Sequence, residues 1–283
     1  MRILIVGASS FIGYRLYKYL EHINIYEIFG TFFKNKKDEK LIYFDITEGS
    51  QIEKTINYVK PDVVVWVAGS KNLKECENSL VFAKTINTIP VENFLKALKK
   101  IKLDTHFIFL STDYVFNGKS GNFLDSDIPE PKTNYGLSNY LAEQIIISSK
   151  VRFSVIRTSA VMGMGGTFFD WLVNGIKNQN TLELFHNIIF TPTPVEILCY
   201  NIFNIIDKNI VNKTMHICGN KSMSRFDFGM LIKNIIADSS VKLIPIIEES
   251  DILLFQKDLS LKPSITYIQD NPLEWYLAKE IQA

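Results

Sequence analysis

The sequence has only three cysteines, Cys76, Cys199 and Cys218, scattered along 283 residues. Their number is odd and their spacing fits no zinc-ligand pattern, so neither a disulfide framework nor a cysteine metal site is predicted. The four histidines are also far apart, and we expect no metal site built on them. Reduced thiols are typical of a reducing compartment, which favours a cytoplasmic protein.

The chain also lacks an excess of charge of either sign. Thirty-one Lys plus Arg against thirty Asp plus Glu give a formal net charge of +1, which attracts neither nucleic acid nor an acidic membrane surface. No apolar run reaches the roughly 18 to 20 residues of a membrane span, and the run that follows Met1 is too short for a signal peptide. We therefore expect neither nucleic acid nor a membrane as partner.

What the chain does contain is typical of a globular protein, with 47% hydrophobic and 22% charged residues. Apolar runs at 2–6, 25–33, 62–68, 106–111 and 152–157 predict strands, and helix-period segments at 11–21, 50–59, 79–100 and 135–149 predict helices between them. Strands that are apolar throughout are typically covered on both faces. This alternation predicts an α/β fold, a Rossmann-type doubly wound parallel sheet that binds ligands at the carboxyl ends of its strands.

The pattern becomes less regular after residue 158, where helices are predicted within 163–179, 195–207 and 224–236 and a strand within 214–218. We interpret residues 1–158 as a dinucleotide-binding Rossmann domain. Residues 159–283 are then mainly a smaller α+β substrate-binding lobe, with some segments returning to the sheet.

A glycine turn, VGASSFIG, joins the first predicted strand to the first helix. Gly7 suits a sharp turn, Gly13 suits a tight contact between helix and strand, and the amides at the start of the helix suit a pyrophosphate. Ser10 stands where the dinucleotide fingerprint has its middle glycine. The prediction is a cofactor site, and the alternative is a tight turn without a ligand. Contacts are expected from Gly7, Ser9, Ser10, Phe11, Ile12 and Gly13.

The end of the second predicted strand, GTFFKNKK, bears on the choice of cofactor. An acid there would bind the ribose hydroxyls of NAD, whereas a basic side chain accommodates the 2′-phosphate of NADP. Thr31, Lys34, Lys36 and Lys37 precede the first acid, Asp38. NADP is therefore predicted and NAD is kept as an alternative, as is a solvated lysine loop.

Several motifs together resemble one family. VGASSFIG, FDIT at 44–47, AGS at 68–70, STDYVFNG at 111–118, TNYGLSNYLAE at 133–143 and RTSAVMG at 157–163 are similar to those of an extended short-chain dehydrogenase/reductase. The closest resemblance is to the dTDP-4-dehydrorhamnose reductase group, which also includes the regulatory subunit of methionine adenosyltransferase. STDYVFNG is the most specific element. FTPTP at 190–194 and KDLSL at 257–261 look like substrate-side motifs of the same group.

The resemblance implies a set of site residues. Tyr135 is expected to be the catalytic acid, and Thr112 is expected to hydrogen-bond the reacting oxygen. Further cofactor contacts are expected from Asp45, Ile46, Ala68, Gly69, Ser70, Asn87, Ser111, Tyr135 itself and Arg157. Substrate contacts are expected from Asp113, Val115, Phe116, Thr158, Thr191 and Lys257.

The chain departs from the family at the residue four places after the tyrosine. The family has lysine there, whose charge lowers the pKa of the phenol, ordinarily about 10. Asn139 shares a helix face with Tyr135 but carries no charge. Losing one to two pKa units would cost on the order of 1.4 to 2.8 kcal/mol, roughly a ten- to hundredfold slower reaction. Lys132 is a candidate for partial compensation, and the alternative is an exposed loop charge.

A second departure concerns the substrate. The reductase group has an Arg-Pro pair before the segment that matches KDLSL, and its guanidinium can grip a diphosphate bidentately. This chain has LLFQ at 253–256, and Lys257 offers only a point charge. This difference weakens the nucleotide-sugar assignment independently of the catalytic question.

Three functions are consistent with these observations. The first is an NADP-dependent reductase of a nucleotide-activated 4-keto sugar, in which Tyr135 is the acid. The second is a catalytically weakened NADP-binding regulatory or scaffolding subunit, favoured by both departures. The third is a sugar-nucleotide epimerase or dehydratase, which no motif singles out. A small-molecule partner is expected in the first and third cases. A homodimer is also considered, because relatives often form dimers.

Overall fold

The computed structural model describes residues 1–178, 181–237, 240–249, 256–264 and 268–282. Its strands are β1 (Arg2–Val6), β2 (Glu27–Phe32), β3 (Ile42–Tyr43), β4 (Val63–Trp66), β5 (His106–Thr112), β6 (Arg152–Thr158), β7 (Val161–Met162), β8 (Thr181–Phe185), β9 (Ile189–Phe190), β10 (Thr193–Pro194), β11 (Lys213–His216), β12 (Met223–Ser224) and β13 (Lys242–Ile246). Its helices are α1 (Phe11–Ile23), α2 (Gly49–Val59), α3 (Leu73–Asn78), α4 (Leu80–Asn87), α5 (Ile89–Ile101), α6 (Asn134–Ser148), α7 (Thr167–Asn178), α8 (Val195–Asp207), α9 (Arg225–Ile236) and α10 (Leu273–Gln282).

Seven parallel strands form the central sheet in the order β11-β6-β5-β4-β1-β2-β3. Its strands are buried on both faces, as β1 shows: Ile3 and Ile5 pack into the core on one side, whereas Leu4 and Val6 pack into the core on the other. The alternation follows from the two-residue period of a strand. Helices α1 and α8 lie against each other on one side of the sheet, and α2, α5 and α6 cover the other. The predicted doubly wound α/β fold is confirmed.

The helix predicted over residues 79–100 is two helices, and this is a correction. Helix α4 ends at Asn87, and α5 begins at Ile89 with Pro90 in its first turn. Proline has no backbone N–H and is tolerated in the first turn of a helix but not in its interior. The apolar residues therefore keep a helical period across a point at which the backbone hydrogen bonds of the helix are interrupted.

The second half of the chain adds strand β11 to the sheet and forms a separate apolar cluster around Phe169, Leu172, Phe228 and Ile232. Three short strand pairs accompany it: β7 with β10, β9 with β12, and β8 with β13. The predicted partition at residue 158 remains a prediction.

No helix within the described ranges is long and apolar enough to cross a membrane. Within those same ranges, no cluster of three or more His, Cys, Asp and Glu side chains is placed to hold a metal ion. Cys76, Cys199 and Cys218 are buried, and each is a free thiol.

Candidate active site

A cavity of about 410 Å³ opens where β1, β4, β5 and β6 reach their carboxyl ends. This is where a doubly wound sheet binds its ligands. Residues of the second half of the chain also line the cavity, and we call seven of them the lobe wall: Phe168, Ile188, Ile189, Phe190, Arg225, Gln256 and Leu259.

Thirteen of the residues predicted from the sequence line this one cavity. They are Ser10, Phe11, Ile12, Ala68, Gly69, Ser70, Asn87, Ser111, Thr112, Asp113, Tyr135, Asn139 and Thr158. They come from four separate strand ends and three helices, and the parallel topology brings them together.

The glycine turn has the backbone that a phosphate cradle requires. Gly7 has a φ of 92°, which side chains rarely adopt, and a Cβ on Gly13 would lie 2.2 Å from the Gly7 carbonyl oxygen. The Gly7 amide donates to the Thr31 hydroxyl at 2.9 Å, so Thr31 braces the turn from β2. Ser10 caps α1, because its hydroxyl accepts from the Gly13 amide at 3.1 Å. The first amides of α1 are left without intrahelical acceptors at the cavity, where they suit an anion.

A second cavity loop is held by an asparagine. The Asn87 side chain accepts from the Ser70 amide at 2.8 Å and donates to the Ser70 carbonyl at 3.2 Å. It also donates to the Ser138 hydroxyl on α6 at 3.1 Å. This bridge fixes the loop after β4 relative to the helix that carries Tyr135.

The loop after β2 is cationic at its surface. Asp38, its first acid, accepts from Lys18 at 2.7 Å, and this contact holds the pKa of that carboxyl below its usual range. Lys34 and Lys37 are exposed, lie over neighbouring aromatic rings, and form no ion pair within the described part of the chain. Two lysines are thus available to an added phosphate, while the acid is already neutralised.

Tyr135 lies in the first turn of α6, and its ring is half-buried. Desolvation raises the pKa of its phenol to about 12, although a hydrogen bond with Thr112 acts in the opposite direction. Asn139 is buried, and its amide nitrogen donates to the Tyr135 carbonyl oxygen at 2.9 Å. The neutral amide is therefore tied to the helix backbone. Lys132 is exposed and does not line the cavity.

A buried carboxyl group, that of Asp113, lies beside Thr112 and Tyr135. Asp113 accepts from the Thr112 hydroxyl at 3.1 Å and from the Ser159 hydroxyl at 2.7 Å. Burial raises its pKa to about 6. The ring of Tyr114 packs edge-on against Tyr135, with centroids 5.6 Å apart. The polar centre of the cavity thus contains hydroxyl groups and one carboxyl that stays protonated to an unusually high pH.

Helix α6 is tied to the sheet by a buried ion pair. The Arg157 guanidinium contacts Glu143 at 2.8 Å, and the Ser111 hydroxyl donates to Glu143 at 2.5 Å. Glu143 is fully buried and Arg157 is almost so. The pair joins the helix that carries Tyr135 to the ends of β5 and β6. Arg157 does not line the cavity, and its expected cofactor contact remains a prediction.

Other predicted residues also lie outside the cavity wall. Val115 and Phe116 are in a buried apolar cluster, Thr191 donates to the Leu261 carbonyl oxygen at 3.1 Å, and Lys257 is exposed. The remaining ones are Gly7, Ser9, Gly13, Thr31, Lys34, Asp45 and Ile46. Residues 253–255 of the LLFQ segment lie outside the described residues.

Sequence reasoning missed most of the lobe wall, although Phe190 and Leu259 lie in the FTPTP and KDLSL motifs. The Arg225 guanidinium lies 5.0 Å from the centroid of the Phe168 ring, and both side chains face the cavity. Gln256 is buried in the same wall. These residues are more than thirty positions apart in the sequence, so no local motif signals them. Ser159 could have been predicted, because it lies inside the RTSAVMG motif.

The family described as RmlD substrate binding domain matches residues 1–252. The dTDP-4-dehydrorhamnose reductase of Aggregatibacter actinomycetemcomitans is 27% identical over 254 residues, or 87% of this chain and 83% of that protein. Methionine adenosyltransferase 2 subunit beta of Xenopus tropicalis is 24% identical over 57% of this chain and 47% of its own length. The crystal structure of dTDP-4-dehydrorhamnose reductase from Bacillus anthracis in complex with NADP has a TM-score of 0.86 and 24% identity, and covers 99% of this chain and 98% of that one.

Proposed function

Because the chain belongs to the RmlD substrate binding domain family, we propose that it is an NADPH-dependent reductase of a nucleotide-activated 4-keto sugar. One observation carries the proposal: a phosphate-type glycine turn and the Tyr135–Thr112 pair meet in the same cavity. The reductase of A. actinomycetemcomitans, similar over most of both chains, supports the reaction type.

The proposed cofactor fits the residues present. Glycine at position 13 lets α1 pack closely on the turn, since a side chain there would collide with the Gly7 carbonyl, and the amides at the start of α1 suit a diphosphate. Lys34 and Lys37 suit the 2′-phosphate, which favours NADP over NAD. The solved B. anthracis structure with NADP supports the same choice. When bound, the cofactor supplies the hydride.

The protein's own residues would handle the carbonyl oxygen. Thr112 and Tyr135 would hydrogen-bond it together, and Tyr135 would give its proton to the developing alkoxide. A pKa of about 12 keeps the phenol protonated at neutral pH but makes it a reluctant acid. Asn139 adds no positive charge, so we expect slow turnover. Residues 1–158 would provide the cofactor side and residues 159–283 most of the substrate side.

The test is NADPH consumption, followed by absorbance, with a panel of 4-keto nucleotide sugars. We expect Tyr135→Phe to abolish it, because phenylalanine has no proton to give. The matched control is Tyr58→Phe, whose ring is 69% exposed on the surface. Unchanged turnover in the Tyr135 variant would rule out the assigned acid.

A second candidate function is a cofactor-binding regulatory subunit that does not turn over substrate. The neutral amide of Asn139 beside Tyr135 favours it, as does the similarity to methionine adenosyltransferase 2 subunit beta. Such a protein would bind NADPH saturably, consume none with any panel member, and co-purify with another chain. A homodimer and a cytoplasmic location remain predictions under either function.

A further inference from the structure

The carboxylate of Glu280 joins α10 to the helix that begins at the glycine turn. Glu280 lies in the last turn of α10 and is 5% exposed. Arg15 lies on α1, where its Nη1 donates to Glu280 Oε2 at 2.9 Å and its Nη2 donates to Oε1. Paired hydrogen bonds between a guanidinium and a carboxylate fix the relative orientation of the two groups. The contact therefore ties α1 to a helix that lies 265 positions later in the sequence.

The same carboxylate also holds a loop that follows β7, residues 163–166, which we call the glycine loop. Glu280 Oε2 accepts from the Met164 amide at 2.9 Å. The next two amides of the loop donate to acceptors within residues 163–170. An ionised acceptor makes a stronger hydrogen bond than a neutral one. Glu280 thus attaches the start of the glycine loop to α10 and, through Arg15, to α1.

The glycine loop packs on the first residue of α1 at the cavity. Phe11 and Gly166 both line the cavity. A Cβ on Gly165 would lie 3.2 Å from the Phe11 ring, and one on Gly166 would lie 3.1 Å from it. Both distances are shorter than an ordinary van der Waals contact, so the two glycines let the loop lie close to the ring. Arg15 follows Phe11 by four residues, and the two side chains therefore share a face of α1.

We propose that Glu280 is a positioning residue for the cofactor, because it holds the first turn of α1 and the glycine loop in the arrangement that binds NADPH. The inference rests on the cofactor part of the proposed function and deepens it, and it does not depend on turnover. Glu280 does not itself line the cavity. It would act through the fraction of molecules in the binding arrangement, since the apparent affinity falls in proportion to that fraction.

Two measurements distinguish this role from simple stabilisation of the fold. Loss of a merely structural ion pair lowers the melting temperature but leaves the affinity of the folded molecules for NADPH unchanged. A positioning role also lowers the affinity, and lowers it equally for NADPH and NADH, because Lys34 and Lys37, the candidates for the 2′-phosphate, are not part of the contact. Coupling is reciprocal, so bound NADPH should in turn slow hydrogen exchange at the Met164 amide.

The first test is fluorescence titration of the purified protein with NADPH and with NADH, alongside its melting temperature. We expect Glu280→Gln, which removes the charge but nearly keeps the shape, to weaken both nucleotides threefold or more with their ratio unchanged. The matched control is Lys279→Gln on the same helix. Lys279 pairs with Glu196 of α8 at 2.8 Å, and its loss should leave both affinities within twofold of the parent.

Arg15→Gln breaks the same contact from the other side. It replaces the Glu280 variant if that one does not fold, and we expect the same loss of threefold or more. The double variant should bind NADPH within twofold of the weaker single variant, because both substitutions remove one shared interaction.

The second test is hydrogen exchange at the Met164 amide, followed by NMR. Saturating NADPH should slow it threefold or more in the parent protein and less in Glu280→Gln. Unchanged affinities in both single variants, an equal loss in Lys279→Gln, a shifted ratio of NADPH to NADH, or exchange that NADPH does not slow in the parent would each overturn the inference. A parent protein that binds neither nucleotide would instead remove the proposed function itself, and this outcome is distinguishable from the others.

Discussion

Replacing Asn139 by lysine tests the proposal that an uncharged residue beside Tyr135 slows the reaction. Residue 139 lies one helical turn from Tyr135, so its side chain and the phenol are neighbours on α6. A charge about 6 Å from the phenol, at an effective dielectric constant of about 20, stabilises the phenolate by roughly 3 kcal/mol. That energy equals about two pKa units. It would bring the pKa of Tyr135 down from about 12 towards its ordinary value.

We therefore expect Asn139→Lys to raise kcat for NADPH consumption by about ten- to a hundredfold. The assay is steady-state turnover at saturating substrate, across the neutral pH range. Asn139→Met is the control, because methionine is unbranched, similar in length to lysine and uncharged. Melting temperature and NADPH affinity are measured on both variants, since position 139 is only 7% exposed and a lysine there is partly desolvated. A well-folded lysine variant with unchanged kcat, or a methionine variant that is equally fast, would refute the reasoning.

Three other predictions concern stability. Folding raises the pKa of Asp113 from an ordinary 3.8 to about 6, so its ionisation destabilises the protein as pH rises through that range. The free energy of unfolding of Asp113→Asn, measured in urea, should therefore rise relative to the parent by up to about 3 kcal/mol between about pH 4 and pH 7. A difference that does not depend on pH would contradict this. Glu143→Ala leaves Arg157 buried and unpaired and should cost about 3 to 5 kcal/mol of unfolding free energy, whereas a loss below about 1 kcal/mol would show that water replaces the carboxylate. Gln256→Met removes a buried amide that has no hydrogen-bond partner among the described residues, and should raise the melting temperature of the free protein; lower stability would mean that the amide has a partner.

Much of the fold was predictable because its signals are local. Five apolar runs correspond to strands of the sheet. The turn around Gly7 and Gly13 was predictable because these positions have no room for a Cβ and therefore require glycine. The i, i+4 spacing predicted that Tyr135 and Asn139 share a helix face, and the resemblance to the reductase group implied that Thr112 lies beside Tyr135; all three line the cavity.

The rest depends on long-range packing that no local pattern encodes. The lobe wall includes Phe168, Arg225 and Gln256, which meet only after the second half of the chain folds back onto the sheet. Side-chain direction is similarly hidden. Arg157 lies in a motif that ends a strand at the cavity, yet its guanidinium turns inwards to Glu143. A motif predicts the position of the backbone better than it predicts the direction of a side chain.

The most direct test of the central claim is calorimetric titration of the purified protein with NADPH and NADH, beside Gly13→Ala. The account predicts saturable binding of NADPH, weaker binding of NADH, and loss of both in the variant, because the added methyl would lie 2.2 Å from the Gly7 carbonyl oxygen. The absence of binding of either nucleotide by the parent protein at millimolar concentration would contradict it.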